Sequence, residues 1–252
     1  MSAERKKQRA ESIESNRARR QAEEANAARR RQWLFLGGIA IVLAIVAVVV
    51  SLVLRANGSS SDLPSIAAAT TTIDPAVPQS GITLGDAAAK VTVTEWGDFQ
   101  CPYCGNFARD VQPQLIADYV KTGKILFEFK NLAFLGDESV QSAEAGACAA
   151  DQGKFWTFHD VIFAHQAGEN KGAFSASRLE QIATMAGLNL DQYRSCMSDG
   201  THKKDVAATT AEGNALPITS TPSFVIGGQA VVFSTYANLT TAIDAALAKA
   251  GV

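Results

Sequence analysis

An uninterrupted apolar run at residues 33–54, WLFLGGIAIVLAIVAVVVSLVL, limits what this chain can fold into more than any other feature of the sequence. As a helix, its 22 residues would extend about 33 Å, enough to cross the hydrocarbon core of a bilayer, which is about 30 Å thick. Arg29, Arg30 and Arg31 precede the run, and only Arg55 follows it. The positive-inside rule therefore predicts a single-pass anchor with a cytoplasmic N-terminus and an exported C-terminal part.

A cleaved signal peptide is the alternative interpretation of this run. The apolar core of a signal peptide is about 7–15 residues long and is followed by an A-x-A-like cleavage site. Residues 33–54 are longer than that, and the sequence Arg55-Ala56-Asn57-Gly58 offers no such site. The length of the run and the missing site favour an uncleaved transmembrane helix.

The predicted anchor separates segments of different composition. Residues 1–32 contain ten Lys/Arg and five Asp/Glu and have too few large apolar residues to build a core, so we interpret them as a charged cytoplasmic tail. Residues 55–80 are rich in Ser, Thr, Ala and Pro and are typical of a flexible linker. Residues 81–252 are enough for one domain with its own core.

The charge of the exported part excludes one class of partner. Residues 56–252 contain twelve Lys/Arg and twenty Asp/Glu, a net charge of -8. Nucleic acids are bound by basic surfaces, so we expect no nucleic-acid partner. The four cysteines are an even number, which in an exported chain favours disulfides.

The exported domain alternates strand and helix patterns. The predicted elements, in chain order, are a strand at 91–96, a helix at 101–121 kinked by Pro113, a strand at 125–130, a purely helical block at about 138–200, two strands at 222–226 and 230–233 around Gly227-Gly228, and a helix at 237–250. A strand–helix–strand opening implies a parallel pair of strands with a crossover helix. The sequence therefore predicts an α/β sheet with a helical insertion.

Two cysteines three residues apart stand at the start of the first predicted helix. Cys101 lies where unpaired backbone N–H groups and the helix dipole favour an anion, which lowers its pKa and makes it the nucleophile. Cys104 lies one turn further in and suits the resolving role, and Pro102 fits an early helical position. A zinc site and a structural disulfide are the alternatives, but Cys148 and Cys196 do not form a second close pair of ligands.

Glu95 is a polar residue on the apolar side of the first predicted strand, which it shares with Val91 and Val93. Burial there would raise its pKa, and the acid could then carry the proton of Cys104 during exchange. The alternative is that the strand end turns into solvent. His159 stands among aromatic residues and is predicted to pack rather than to catalyse.

Three motifs together resemble the DsbA-like proteins of the thioredoxin superfamily. They are GDFQCPYC at 97–104, FWTFHD at 155–160 and TPSF at 221–224. The resemblance covers about 81–252 and implies a thioredoxin fold with a helical domain inserted between its two halves. It also implies disulfide transfer to secreted proteins.

The resemblance implies a role for each matching residue. It implies an attacking Cys101, a partner Cys104, a buried acid at Glu95, and substrate contacts at Pro102, Tyr103, Thr221 and Pro222. Pro222 would be a cis-proline, which costs only about 0.5–1 kcal/mol over trans and exposes the Thr221 backbone to a substrate chain. An ordinary trans-proline at the start of a strand is the alternative.

Two further features follow from the resemblance. Cys148 and Cys196 are expected to form a structural disulfide, similar to that of some Gram-positive relatives, with a second redox relay as the alternative. The best-known oxidant of the family has Pro-His between its cysteines, where this chain has Pro102-Tyr103. Since tyrosine cannot carry the positive charge of histidine, the chain is expected to be a weaker oxidant.

The leading functional hypothesis is an oxidase in the extracytoplasmic space. It would donate disulfides to thiol-containing exported proteins and be re-oxidised by a quinone-linked partner in the membrane, with no cofactor and no metal ion of its own. A membrane-tethered reductase or isomerase is the second hypothesis, and a non-catalytic binding module is the third. The reduction potential separates the first two, and the intact C-x-x-C argues against the third.

Overall fold

The computed structural model describes residues 63–65 and 73–252. The predicted cytoplasmic tail at 1–32, the transmembrane helix at 33–54 and most of the linker at 55–80 lie outside this part of the chain. Among the residues that the structure describes, no helix is both long enough and apolar enough to cross a bilayer.

Six strands form one mixed sheet. They are β1 (Gln79–Ser80), β2 (Thr83–Leu84), β3 (Val91–Gly97), β4 (Ile125–Asn131), β5 (Ser223–Ile226) and β6 (Gln229–Val232). Their order across the sheet is β1-β2-β4-β3-β5-β6. Only β3 and β4 pair in parallel, and the other neighbours are antiparallel. This is the parallel pair that the strand–helix–strand pattern predicts.

Seven helical segments complete the described part of the chain. They are α1 (from Pro102 to Val120), α2 (Asp137–Asp151), α3 (Phe155–Ala164), α4 (Ala176–Met185), α5 (Leu190–Asp199), α6 (Lys203–Asn214) and α7 (Tyr236–Ala250). Helix α1 connects β3 to β4, and helices α2 to α6 form a block between β4 and β5. The predicted arrangement of two sheet-forming halves separated by a helical insertion is confirmed.

Helix α1 contains π turns where the sequence predicted a kink at Pro113. Its Phe107–Val111 and Ile116–Val120 segments are π-helical, and the Gln112 N–H donates to the Phe107 carbonyl, five residues back. Proline has no N–H, and its ring collides with the carbonyl four residues earlier. The extra residue of the preceding π turn accommodates this conflict.

The helical block extends beyond the predicted limit of about residue 200. Helix α6 adds Lys203–Asn214 to it. This segment, KKDVAATTAEGN, buries only Val206 and Gly213, so it lacks the apolar stripe from which a buried helix is recognised.

The folded domain also begins earlier than the predicted residue 81. Ile73 and Val77 are both only 3% exposed and belong to the core, and Asp74 forms an ion pair with Lys121 at 2.7 Å. Strands β1 and β2 have two residues each, which is too short for an alternating pattern to show. The last residues of the predicted linker therefore belong to the folded domain.

One buried aromatic ring joins the sheet to the helical block. Phe99 is fully buried, and its ring centroid lies 5.3 Å from that of Phe129 in β4 and 5.2 Å from that of Phe163 in α3. His159 is also fully buried within this cluster, 4.8 Å from Phe163. The packing role predicted for His159 matches its position.

We expect Phe99→Ala to lower the free energy of unfolding by about 3–5 kcal/mol, because it removes a fully buried ring and leaves a cavity. Phe134→Ala is the matched control, since Phe134 is 50% exposed; we expect it to cost less than about 0.5 kcal/mol. Urea unfolding of the two variants measures the difference. Equal losses of unfolding free energy in Phe99→Ala and Phe134→Ala would show that the Phe99 ring does not hold the sheet and the helical block together.

Candidate active site

Cys101 lies between the end of β3 and the start of α1. Strand β3 ends at Gly97, a three-residue loop follows, and Cys101 is the N-cap residue of α1, with extended backbone angles of φ -68° and ψ 119°. Pro102 is the first helical residue. The sulfur of Cys101 is therefore placed at the end of α1 where unpaired N–H groups point outward.

The surroundings of Cys101 favour its thiolate. The pKa of Cys101 is lowered from 9.0 to about 6, first by a hydrogen bond from the Cys104 thiol. Burial opposes this shift, while the Thr221 side chain and the backbone N–H groups of Cys104 and Tyr103 support it. When protonated, the Cys101 thiol donates to the Thr221 carbonyl oxygen at 3.4 Å. At neutral pH the reduced site thus holds a thiolate.

Cys104 has the opposite electrostatic character. It is fully buried, and burial raises its pKa well above the usual value. Its hydrogen bond to Cys101 and the charges of Cys101 and Glu95 raise the pKa further. The two cysteines, both free thiols in this structure, are therefore divided into one nucleophile and one protonated partner.

Glu95 lies inside the sheet core, as the apolar pattern of β3 predicted. It is fully buried, and within the described part of the chain neither carboxyl oxygen has a hydrogen-bond partner. Burial raises the pKa of this carboxyl well above its usual range, and the charge on Cys101 adds to the effect. Both causes favour the protonated form of the carboxyl, and the alternative of a solvent-facing strand end is wrong.

Asp98 organises the loop before Cys101 and was not among the site residues predicted from the sequence. This buried carboxylate accepts hydrogen bonds from the Ser139 hydroxyl at 2.7 Å and the Gln100 N–H at 2.8 Å. It also accepts from the N–H groups of Phe134 at 3.0 Å and Leu135 at 3.2 Å. An aspartate three residues before a C-x-x-C at a strand end was the only available signal.

Gln166, from the turn after α3, fixes the same loop from the helical block. Its side-chain amide donates to the carbonyl oxygens of Phe99 at 2.8 Å and of Cys101 at 2.9 Å. The amide thus bridges the two parts of the fold beside the nucleophile. Nothing local in the sequence marks Gln166, because the contact spans 65 residues.

Thr221 and Pro222 lie opposite the cysteines at the start of β5. The Thr221–Pro222 peptide bond is cis, so the trans alternative does not describe this structure. A groove of about 490 Å³ runs between this loop and α1, with Tyr103, Phe107, Val111 and Phe233 among its lining residues. The Tyr103 side chain lies at the edge of this groove and is 71% exposed.

The structure brings most of the predicted site residues together and separates two of them. Seven of them lie together, around the cysteine pair and the groove. They are Cys101, Cys104, Glu95, Pro102, Tyr103, Thr221 and Pro222. Cys148 and Cys196 form a disulfide that joins α2 to α5, with a Cα–Cα distance of 6.0 Å. They are bonded to each other and so do not complete a zinc site at Cys101.

The family model for thioredoxin matches residues 78–245, and the chain therefore belongs to the thioredoxin family. It is 29% identical over 170 residues to the probable disulfide bond formation protein D of Bacillus anthracis. The match covers 66% of this chain and 78% of that protein. The crystal structure of oxidised BdbD from Bacillus subtilis matches with a TM-score of 0.62 and 25% identity, over 67% of this chain and 93% of that one. The predicted relationship to DsbA-like thiol–disulfide oxidoreductases is confirmed.

A third relative is much longer than this chain. The sequence is 31% identical over 145 residues to the Na(+)/H(+) antiporter NhaA 1 of Salinispora arenicola. The match includes 58% of this chain but only 21% of that protein. The chain thus spans about a fifth of the length of the relative.

We expect the Cys101 thiol to titrate with a midpoint at a pH of about 6, followed by the ultraviolet absorbance of the thiolate in the reduced protein. Because the folded pKa lies below the ordinary 9.0, the stabilisation that this thiolate gives the reduced protein is complete above pH 9.0. It is lost as the pH falls through about 6.

Cys104→Ala should raise that midpoint by about one unit or more, because it removes the strongest hydrogen bond to the thiolate. Tyr103→Phe is the control and should leave the midpoint unchanged, since Tyr103 acts on Cys101 through its backbone N–H. A wild-type midpoint near 9.0 would contradict this electrostatic description of the site.

Proposed function

We propose that this protein is a disulfide-donating oxidase that works on thiol-containing exported proteins outside the cytoplasm. The observation that carries the proposal is the lowered pKa of Cys101, about 6. A stabilised thiolate favours the reduced form of a C-x-x-C pair and so makes its disulfide oxidising. The similarity to proteins named for disulfide bond formation supports the same direction.

The exchange proceeds in two steps between four sulfurs. A substrate thiolate attacks the Cys101 sulfur of the Cys101–Cys104 disulfide, a mixed disulfide forms, and the electron pair of the broken bond goes to Cys104. A second substrate thiolate then attacks the substrate sulfur of the mixed disulfide and releases Cys101 as a thiolate. The substrate gains one disulfide, and the enzyme keeps the two electrons.

Glu95 handles the proton of the buried cysteine. The pKa of Cys104 is raised by burial, so the thiolate formed there in the first step needs a proton. Burial raises the pKa of the Glu95 carboxyl and so favours its protonated form, which can supply that proton. Re-oxidation requires the reverse transfer.

The groove beside the cysteines suits an extended, apolar substrate segment. Phe107, Val111 and Phe233 supply an apolar lining, and the Thr221 backbone lies at the groove and opposite Cys101. An unfolded chain can pair with backbone at the groove in this way while its side chains use the apolar lining. This accounts for a substrate class defined by exposed thiols rather than by one sequence.

The anchor and the electron acceptor complete the proposal. The apolar run at 33–54 would hold the domain on the outer side of the cell membrane, with the N-terminus in the cytoplasm. Each turnover leaves two electrons on Cys101 and Cys104, which must be passed on. A quinone-linked membrane protein is the partner that such a tether would keep within reach.

The experiment follows disulfide transfer from the oxidised full chain to an unfolded peptide with two thiols. We expect one peptide disulfide per protein, and no transfer by Cys101→Ser or by Cys104→Ser, because neither variant can form the Cys101–Cys104 disulfide that accepts the two electrons. Mass spectrometry after acid quenching and alkylation identifies each species. Failure of the oxidised full chain to oxidise the peptide would refute the proposal.

A further inference from the structure

A second group of chemically reactive side chains lies in the helical block, outside the active site. It consists of the Cys148–Cys196 disulfide and His202. The two sulfurs and one ring nitrogen of His202 lie within 4.8 Å of one another. The roles assigned above to Cys101 and Cys104 make no use of this group.

Two carboxylates from different helices hold the His202 ring. Its Nε2 lies 2.7 Å from the Asp151 carboxylate at the end of α2, and its Nδ1 lies 3.3 Å from the Asp205 carboxylate in α6. Burial lowers the pKa of His202, but the two carboxylates outweigh burial and raise the pKa above its usual value. A carboxylate oxygen faces each ring nitrogen, and only the protonated, positively charged ring can donate to both.

The two cysteine residues differ in exposure. Cys148 lies in α2 and is 2% exposed, whereas Cys196, near the end of α5, is only partly buried. An attacking thiolate must reach one sulfur and displace the other. Access therefore favours attack on Cys196 and makes Cys148 the leaving group.

A positive charge beside a leaving sulfur changes its chemistry. A thiolate is stabilised by a nearby protonated histidine, which lowers the pKa of the thiol. A leaving thiol with a lower pKa departs faster in disulfide exchange. A disulfide that only links two helices gains no function from a positively charged histidine beside it.

We propose that Cys148–Cys196 is a second thiol-exchange site, at which small thiols attack Cys196 and His202 stabilises the departing Cys148 thiolate. The attacking thiolate forms a new S–S bond with Cys196, and the Cys148–Cys196 bond breaks. Its electron pair stays on Cys148, which can take a proton from the His202 ring. A second small thiol then attacks the sulfur of the first at the mixed disulfide, which leaves Cys196 reduced and the small thiol oxidised.

The test uses the full chain with Cys101→Ser and Cys104→Ser, so that only Cys148–Cys196 can react. Reduced glutathione is the probe, and acid quenching, alkylation and peptide mass spectrometry locate the mixed disulfide and give its rate of formation. We expect glutathione on Cys196. In the same background, His202→Gln should slow its formation by about three- to tenfold, since the leaving thiol loses its stabilising charge.

Two further variants distinguish an effect of the charge at position 202 on the reaction rate from an effect of lost structure. His202→Lys keeps a positive charge and should restore most of the rate. His165→Gln changes another partly buried histidine, whose Nδ1 lies 2.7 Å from the Val161 carbonyl oxygen, and should leave the rate unchanged. Circular dichroism at the reaction temperature selects variants that remain folded.

Each remaining outcome overturns the proposal. An unchanged or faster rate in folded His202→Gln would show that the ring does not assist departure. Glutathione on Cys148 would show that the order of attack is wrong. No mixed disulfide at all would leave Cys148–Cys196 as a purely structural bond, whatever the activity of Cys101 and Cys104.

Discussion

The hydrogen bond from the Cys104 thiol to the Cys101 sulfur is the interaction on which the rest of the site depends. It is the largest cause of the lowered pKa of Cys101, about 6, and it also helps to keep Cys104 protonated. This contact, together with the burial of Cys104, creates the difference between nucleophile and partner. The backbone at the start of α1 adds to it without any charged side chain, so Tyr103 can replace the histidine of the best-known relative and still leave a stable thiolate.

The rest of the fold serves to keep that contact in place. Strand β3 brings the loop to the edge of the sheet and buries Glu95 beneath it, and Asp98 binds the loop to the start of α2. Gln166 and the Phe99 ring connect the same loop to the helical block. The inserted helices are therefore part of the active site's support, which explains why the core is continuous between the two parts of the fold.

The sequence was informative wherever the chemistry is local. The C-x-x-C after a β-rich segment predicted the nucleophile, and the alternation in β3 predicted the buried Glu95. Asp98 and Gln166 were missed because, apart from the Gln100 N–H, their partners lie 36 to 67 residues away, and only the tertiary fold brings them together. Helix α6 was missed because few large apolar residues mark it. The start of the domain was misplaced because β1 and β2, with two residues each, are too short to show an alternating pattern. The predicted transmembrane helix at 33–54 stays a prediction.

The reduction potential of the Cys101–Cys104 pair decides whether the stabilised Cys101 thiolate makes this protein an oxidase. The full chain would be equilibrated in graded glutathione buffers, and the peptide that carries both thiols would be quantified by mass after alkylation, so that Cys148 and Cys196 do not contribute. A thiolate stabilised as described predicts a potential between about -180 and -120 mV, within the range from protein disulfide isomerase to DsbA. A potential at or below about -270 mV, the value of thioredoxin, would contradict the account and make the protein a reductase.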